Sequence, residues 1–269
     1  MENYFGKNGF VWFVGVVEDR MDPEKLGRVR VRCLGHHSPH TIDIPTEHLS
    51  WSTVMAPTTN PSMDGLGSTP PFLVEGSWVT GFFLDQFKQD SVIVGSLPGF
   101  NETFKSTDPE LLKAEGFRDH NGVYPFNIEP DTNKLSRGEF AEYHDSLVTR
   151  RANRIIEIPK ATKAHVPTVG GPDAEVRDTW NELNPKSNTH SKYPYNHVTE
   201  SESGHVIEID DSPGGERLMT YHRTGTFDEI HPDGSKVTKI VGSEYEITLK
   251  DKNVLIEGVC NITISGDCR

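Results

Sequence analysis

Three features of the sequence predict an all-β chain in three parts. Residues 1–100 hold about five short runs in which β-branched and aromatic side chains alternate with polar ones, each run closed by turn residues. Residues 101–203 lose that periodicity and are rich in proline. Residues 204–269 regain it and carry glycines that recur in one register.

The first run is FVWFVGVVEDR (10–20), apolar until its closing charges. After the turn MDPEKLG comes GRVRVRCLGH (27–36), where Val29, Val31 and Cys33 alternate with Arg28, Arg30 and Arg32. Period 2 gives that strand one buried face and one wet face. Ser52–Ala56 forms a third strand, followed by a loop of Pro, Thr, Asn and Gly over 57–71. WVTGFFLDQ (78–86) and SVIVGSLPG (91–99) are the fourth and fifth, joined by the turn Phe87–Asp90. Gly15, Gly81 and Gly95 lie inside these runs, which suits strong coiling at the corners of a small closed barrel. A five-stranded barrel of the oligonucleotide/oligosaccharide-binding (OB) type fits best over 1–100, and an immunoglobulin-like sandwich is the alternative. Neither fold implies nucleic-acid binding. Phe10, Trp12 and Phe13 are expected in barrel core and interface rather than as a stacking platform for bases. The arginine row is either an ordinary wet face or a docking strip for an acidic partner.

Residues 101–203 are expected to form an extended connector. NGVYPFNIEPDTNKLSRGE (121–139) is nearly aperiodic, the stretch 159–196 carries five prolines, and only 139–158 has the pattern for regular structure of any length. A structureless stretch this long is unusual inside one compact domain, but it is accommodated if it wraps across neighbouring chains.

From Gly204 strand character returns as three alternating runs, His205–Asp210, Arg217–His222 and Thr226–His231, separated by SPGG, RTG and PDGS turns. These feed a repetitive strip. Gly234, Gly242, Gly258 and Gly266 are 8, 16 and 8 residues apart, one octad register with a missed beat at Lys250. Val254, Ile256, Cys260, Ile262, Ile264 and Cys268 fall on even positions and form one apolar row. The parity breaks upstream, at Tyr245, Ile247 and Leu249, so Lys250–Asn253 must hold a turn or bulge. Such a strip has one thin apolar row and two open edges. Three identical chains wrapped about an axis close it, with the even row inside, as an intertwined trimeric β-prism or β-helix over 204–269. A lone hairpin or a two-layer sandwich is the competing arrangement.

Composition narrows the function. The net charge of −13 opposes a sequence-independent grip on nucleic acid, so no direct nucleic-acid binding is expected. Three cysteines, Cys33, Cys260 and Cys268, are too few for a disulfide scaffold. The N-terminal stretch MENYFGKNGFVWFVG is interrupted by Lys7 and Asn8, so neither a signal peptide nor a membrane helix is expected and synthesis is placed in the cytosol. His36, His37 and His40, with His48 nearby, make a metal site conceivable, but no carboxylate or cysteine spacing supports it and a solvated loop is preferred. His205, His222 and His231 are weighed the same way, with the difference that a threefold axis would triple each. No phosphate loop, nucleophile elbow or zinc spacing occurs, and no cofactor is expected.

Two stretches carry a family resemblance. VGVVEDRMDPEKLGRVRVRCLGHHSP with WVTGFFLDQFKQDSVIVGSLPG resembles the N-terminal barrel of the central baseplate spike of contractile-tailed phages. GHVIEIDDSPGGERLMTYHRTGTFDEIHPDGSKVTKIVG is similar to the start of that family's trimeric needle, and the valine–glycine-repeat spikes of type VI secretion systems share both parts. The resemblance implies a virion protein of the tail baseplate, assembled in the host cytoplasm. It also implies a homotrimer whose barrels seat on a hub protein, with Arg28, Arg30 and Arg32 as possible hub contacts. Its needle would meet the host outer membrane on contraction. A spike of a type VI-like injection system is the close alternative.

The best-known members insert a muramidase between barrel and needle, with a Glu, then eight residues, an Asp, then five residues, a Thr. Glu110–Asp119 and Glu202–Asp211 match the first spacing, but the third position holds Pro125 or Arg217. No catalysis is expected, a hydrolase-bearing spike being the alternative. Because the sequence stops at Arg269, part-way through an octad, a small tip protein on the C-terminal end is also expected.

Overall fold

The computed structural model describes residues 9–98, 131–133, 135–138, 191–260 and 262. They belong to two compact units that divide at Thr132/Asn133, and each is taken by itself. Apart from one short 3₁₀ turn at Thr46–His48, all regular structure among these residues is β.

The first unit is a closed barrel of β1 (Val11–Asp19), β2 (Val29–Cys33), β3 (Trp51–Val54), β4 (Trp78–Phe83) and β5 (Ser91–Ser96). Neighbours run β1-β2-β3-β5-β4, and β4 pairs back onto β1. All pairs are antiparallel except β3 with β5, which meet in parallel through Thr53↔Val92 and Val54↔Ile93. The long 57–77 connection lets the chain cross and close the sheet, removing its edges. This is the OB-type barrel expected from the sequence, not the sandwich.

Phe13, Val17, Val29, Val31, Cys33, Val79, Phe83 and Ile93 fill the interior. Burial pushes the Cys33 thiol up to about 12, so it behaves as a small apolar group. Gly15 is required by close approach: a Cβ there would meet Val31 Cγ1 at 2.5 Å and the Arg32 carbonyl oxygen at 2.8 Å. Gly81 is equally crowded, by Val92 and Phe13, whereas Gly95 faces open space. The expected corner role therefore fits two of the three glycines.

The second unit contains an antiparallel meander, β6 (Asn196–Glu200), β7 (Val206–Asp210), β8 (Arg217–Tyr221), β9 (Phe227–Ile230) and β10 (Lys236–Lys239). β7, β8 and β9 are the three runs read from the alternation. β6 lies in residues assigned above to the connector, and β10 in residues assigned to the octads. Three hairpin turns share one construction. Gly204, Gly225 and Gly234 have φ of 87°, 94° and 84°. Each donates its N–H to the carbonyl three residues back: Gly204 to Ser201, Gly225 to His222 and Gly234 to His231. The left-handed residue at the end of the turn is where glycine is favoured.

The sheet is amphipathic in an unusual sense. Its covered face holds an apolar cluster of Leu135, Val206, Met219, Tyr221 and Phe227, but also buried Asn196, Glu208, Asp210, Arg217, Glu229 and His231. Its other face presents the aliphatic side chains Ile207, Ile209, Leu218 and Ile230 half exposed. Cross-strand register makes Ile209, Leu218 and Ile230 one continuous row.

Candidate interaction surfaces

On the barrel, Arg28, Arg30 and Arg32, at and just before β2, do not form a free docking strip. Arg28 is held by Asp22, with Nη2 to Oδ1 at 2.8 Å and Nε to Oδ2 at 3.1 Å, and pairs with Glu24 at 3.1 Å. That guanidinium, with the N–H groups of Glu24, Leu26 and Arg28, keeps the Asp22 carboxyl well below the usual range against the opposing effect of desolvation. Arg30 lies over the Trp51 ring at 4.5 Å and reaches Asp19 at 3.6 Å.

Arg32 is fully buried. Its Nε donates to Glu18 Oε1 at 2.5 Å and its Nη2 to Glu18 Oε2 at 2.9 Å. The remaining donors reach the carbonyls of Ser38 and Ile44, both at 2.8 Å, and Thr46 Oγ1 closes on Glu18 Oε2 at 2.7 Å. The expectation of a solvated arginine row is therefore corrected at Arg32. The loop 34–50 folds over the outer face of β2, and a period-2 pattern carries no information about what a distant loop will cover.

One open patch of the barrel surface is aromatic. Phe13 points into the core, while Phe10 and Trp12 point out and pack on Phe82, with centroids 4.4 and 5.3 Å away. Trp12 is 57% exposed. The histidines of the β2–β3 loop do not converge. His36 packs edge-on against Phe83 at 5.2 Å with its Nδ1 3.1 Å from Lys88 Nζ. His37 accepts the Cys33 N–H at 3.0 Å. Among the described residues no group of three or more His, Cys, Asp or Glu is placed to hold a metal.

The repeat strip is a long uncovered apolar surface in the described part of the second unit. From Ser243 to Cys260 the backbone joins no sheet, and every one of those residues is exposed. Val254, Ile256, Cys260 and Ile262 all stand in solvent, Ile262 at 79%; Ile264 and Cys268 lie outside the described residues. Tyr245, Ile247, Leu249, Leu255 and Val259 are exposed as well, so both parities are open in a single chain. The four octad glycines are not equivalent. Gly234 belongs to the β9–β10 hairpin with positive φ, whereas Gly242 and Gly258 lie in the strip with nothing within 4 Å of a built Cβ. Gly266 lies outside the described residues. Sequence spacing alone equated a turn glycine with repeat glycines because 234 and 242 happen to be 8 apart.

A family model for the Gp5 N-terminal OB domain matches residues 35–175, just over half of the chain. The match begins after β2 and continues past Ser96, so it overlaps the closed barrel through β3, β4 and β5 rather than coinciding with it. Protein Gp5 of Vibrio phage KVP40 is 44% identical over 281 aligned positions, covering 98% of this chain. The pre-baseplate central spike protein Gp5 of Enterobacteria phage T4 is 44% identical over 144 residues, 52% of this chain. This chain spans 65% of the first relative's length and 24% of the second's. The expectation of a tip partner rested on Arg269 as the last residue, and against longer relatives that position has no weight. The matched domain, the closed barrel and the two relatives together place this chain in the Gp5 family of phage central spike proteins.

Proposed function

We propose that the protein is the trimeric central spike of a phage tail baseplate, a structural component that seats on the hub through its barrel and carries a piercing needle. The single observation behind this reading is the strip over 240–260 and 262, where apolar side chains of both parities stand uncovered on backbone that belongs to no sheet. Backbone N–H and C=O groups gain by pairing, and an apolar row of this length gains by leaving water. Identical strips offer each other both, because the same eight-residue register is present in every copy. The half-exposed row Ile209–Leu218–Ile230 on the preceding sheet extends the surface that copies of the chain would cover. For hub docking, the Phe10–Trp12–Phe82 patch is better suited than the engaged β2 arginines, since aromatic anchors contribute most at interfaces.

The reading assigns no hydrolysis to this chain. The one muramidase-like spacing among the described residues ends at Arg217, which is buried and bonded to Glu208 at 2.7 Å and to Glu229 at 3.4 Å. A buried ion pair is a structural group, not a catalytic one. Light scattering tests the proposal: the full chain should give about three times its 30.1 kDa mass, and the same preparation should leave purified cell walls intact. A mass of one chain at micromolar concentration would reject the spike, and clearing of the walls would reject the non-enzymatic part alone.

A further inference from the structure

We propose that His205 and His222 form a two-imidazole site for a late first-row divalent metal ion, where β7 begins and β8 ends. The proposal rests on the second sheet alone and does not depend on the spike reading. The register Val206↔Tyr221 sets the two histidines opposite each other, and because Val206 and Tyr221 point into the core, both imidazoles lie on the other face. Neither residue spends its backbone on the other. His205 gives its N–H to Ser201 Oγ at 3.0 Å and accepts the Ser201 N–H at 2.9 Å. His222 gives its N–H to the Thr226 carbonyl and accepts the Gly225 N–H, both at 2.8 Å. They therefore form a non-hydrogen-bonded cross-strand pair, the position at which facing side chains come closest.

The rings are 4.4 Å apart at 50°. His222 Nδ1 lies 2.8 Å from Thr224 Oγ1, and in the tautomer that donates Nδ1–H to that hydroxyl, in place of accepting the Thr224 N–H at 3.3 Å, Nε2 keeps the lone pair that a metal needs. The His205 ring has no hydrogen-bond partner among the described residues, although it is half-buried. Metal ligation needs the neutral imidazole. Arg223 follows His222 directly in the chain and puts a positive charge beside the pair. The same Arg223 charge opposes any cation, so the site favours the ion with the strongest imidazole bond, copper(II) ahead of nickel(II) or zinc(II). Water completes the coordination. Thr224 is a positioning residue that fixes the His222 ring.

The test is a copper(II) titration of the full chain at about pH 7.5, above the ordinary imidazole range. The readouts are binding heat and paramagnetic broadening of ¹³C-labelled histidines. Broadening should begin at His205 and His222. His205→Gln and His222→Gln should each weaken the site on the order of a hundredfold, because the second imidazole acts at high effective concentration. Thr224→Val should cost about tenfold with both ligands in place. His222 is exposed, so its replacement leaves the fold intact and decides the matter if His205→Gln does not fold. Broadening spread evenly over all histidines, or an affinity within about twofold of wild type in His222→Gln, would overturn the site.

Discussion

Arg32 and Glu18 show how one residue can change the meaning of a whole strand. Their pair is sealed under the 34–50 loop, and Arg32 spends its other donors on two carbonyls of that loop. Breaking such a pair leaves one uncompensated charge in a dry site, which costs more than the pair itself contributes. Arg32→Met should therefore destabilise the barrel by about 3–5 kcal/mol, and adding Glu18→Gln should restore part of the loss. Denaturant unfolding followed through the barrel tryptophans measures both. A single-variant loss under about 1 kcal/mol would mean the pair is wetter than its geometry implies. Val29, Val31 and Cys33 were legible as an inward row from their alternation, because burial on one side of a strand is a local pattern. The fate of Arg32 was not legible, since it is decided by residues 38–46, which no strand periodicity reaches.

At the scale of elements, the meander is organised by its turns. Gly234 has φ 84° and open space around a built Cβ, so substitution there isolates backbone strain from collision. Gly234→Ala should cost about 1–2 kcal/mol of sheet stability, the penalty for a side chain in the left-handed region. Gly242→Ala, without positive φ, should leave the sheet unchanged, and equal losses at both sites would restore the idea of equivalent repeat glycines. β7, β8 and β9 were legible as alternating runs between turn residues. β6 was not, because NHVTE is short and two of its three inward positions, Asn196 and Glu200, are polar. Glu200 accepts a hydrogen bond from Asn133 at 2.5 Å, and Asn196 donates to Glu208 at 2.8 Å. Such a strand is specified by distant partners rather than by hydrophobicity, which is why it read as connector.

For the molecule as a whole, cysteine chemistry separates one chain from an assembly. Cys260 is exposed in the single chain, and Cys33 is buried in the barrel with its thiol pushed up to about 12. Alkylation located by peptide mass should leave Cys33 unmodified in the folded protein under all conditions. Cys260 should be protected in the wild-type protein and labelled in Ile256→Asp, where unpaired carboxylates oppose closure of the strip. Fast labelling of Cys260 in the wild type would place the even row outward.

The non-repeating sheet beside the strip has one more consequence. A run of similar octads pairs almost as well one repeat out of step as in step, so the strip by itself cannot count its own units. β6–β10, whose strands differ in sequence and which hold one buried Glu208–Arg217–Glu229 set, would match another copy in the proposed trimer in one alignment only. Ending at Lys239, directly upstream of the strip, it would set the starting phase of the proposed trimer, and an error of alignment made there would be carried along every octad that follows.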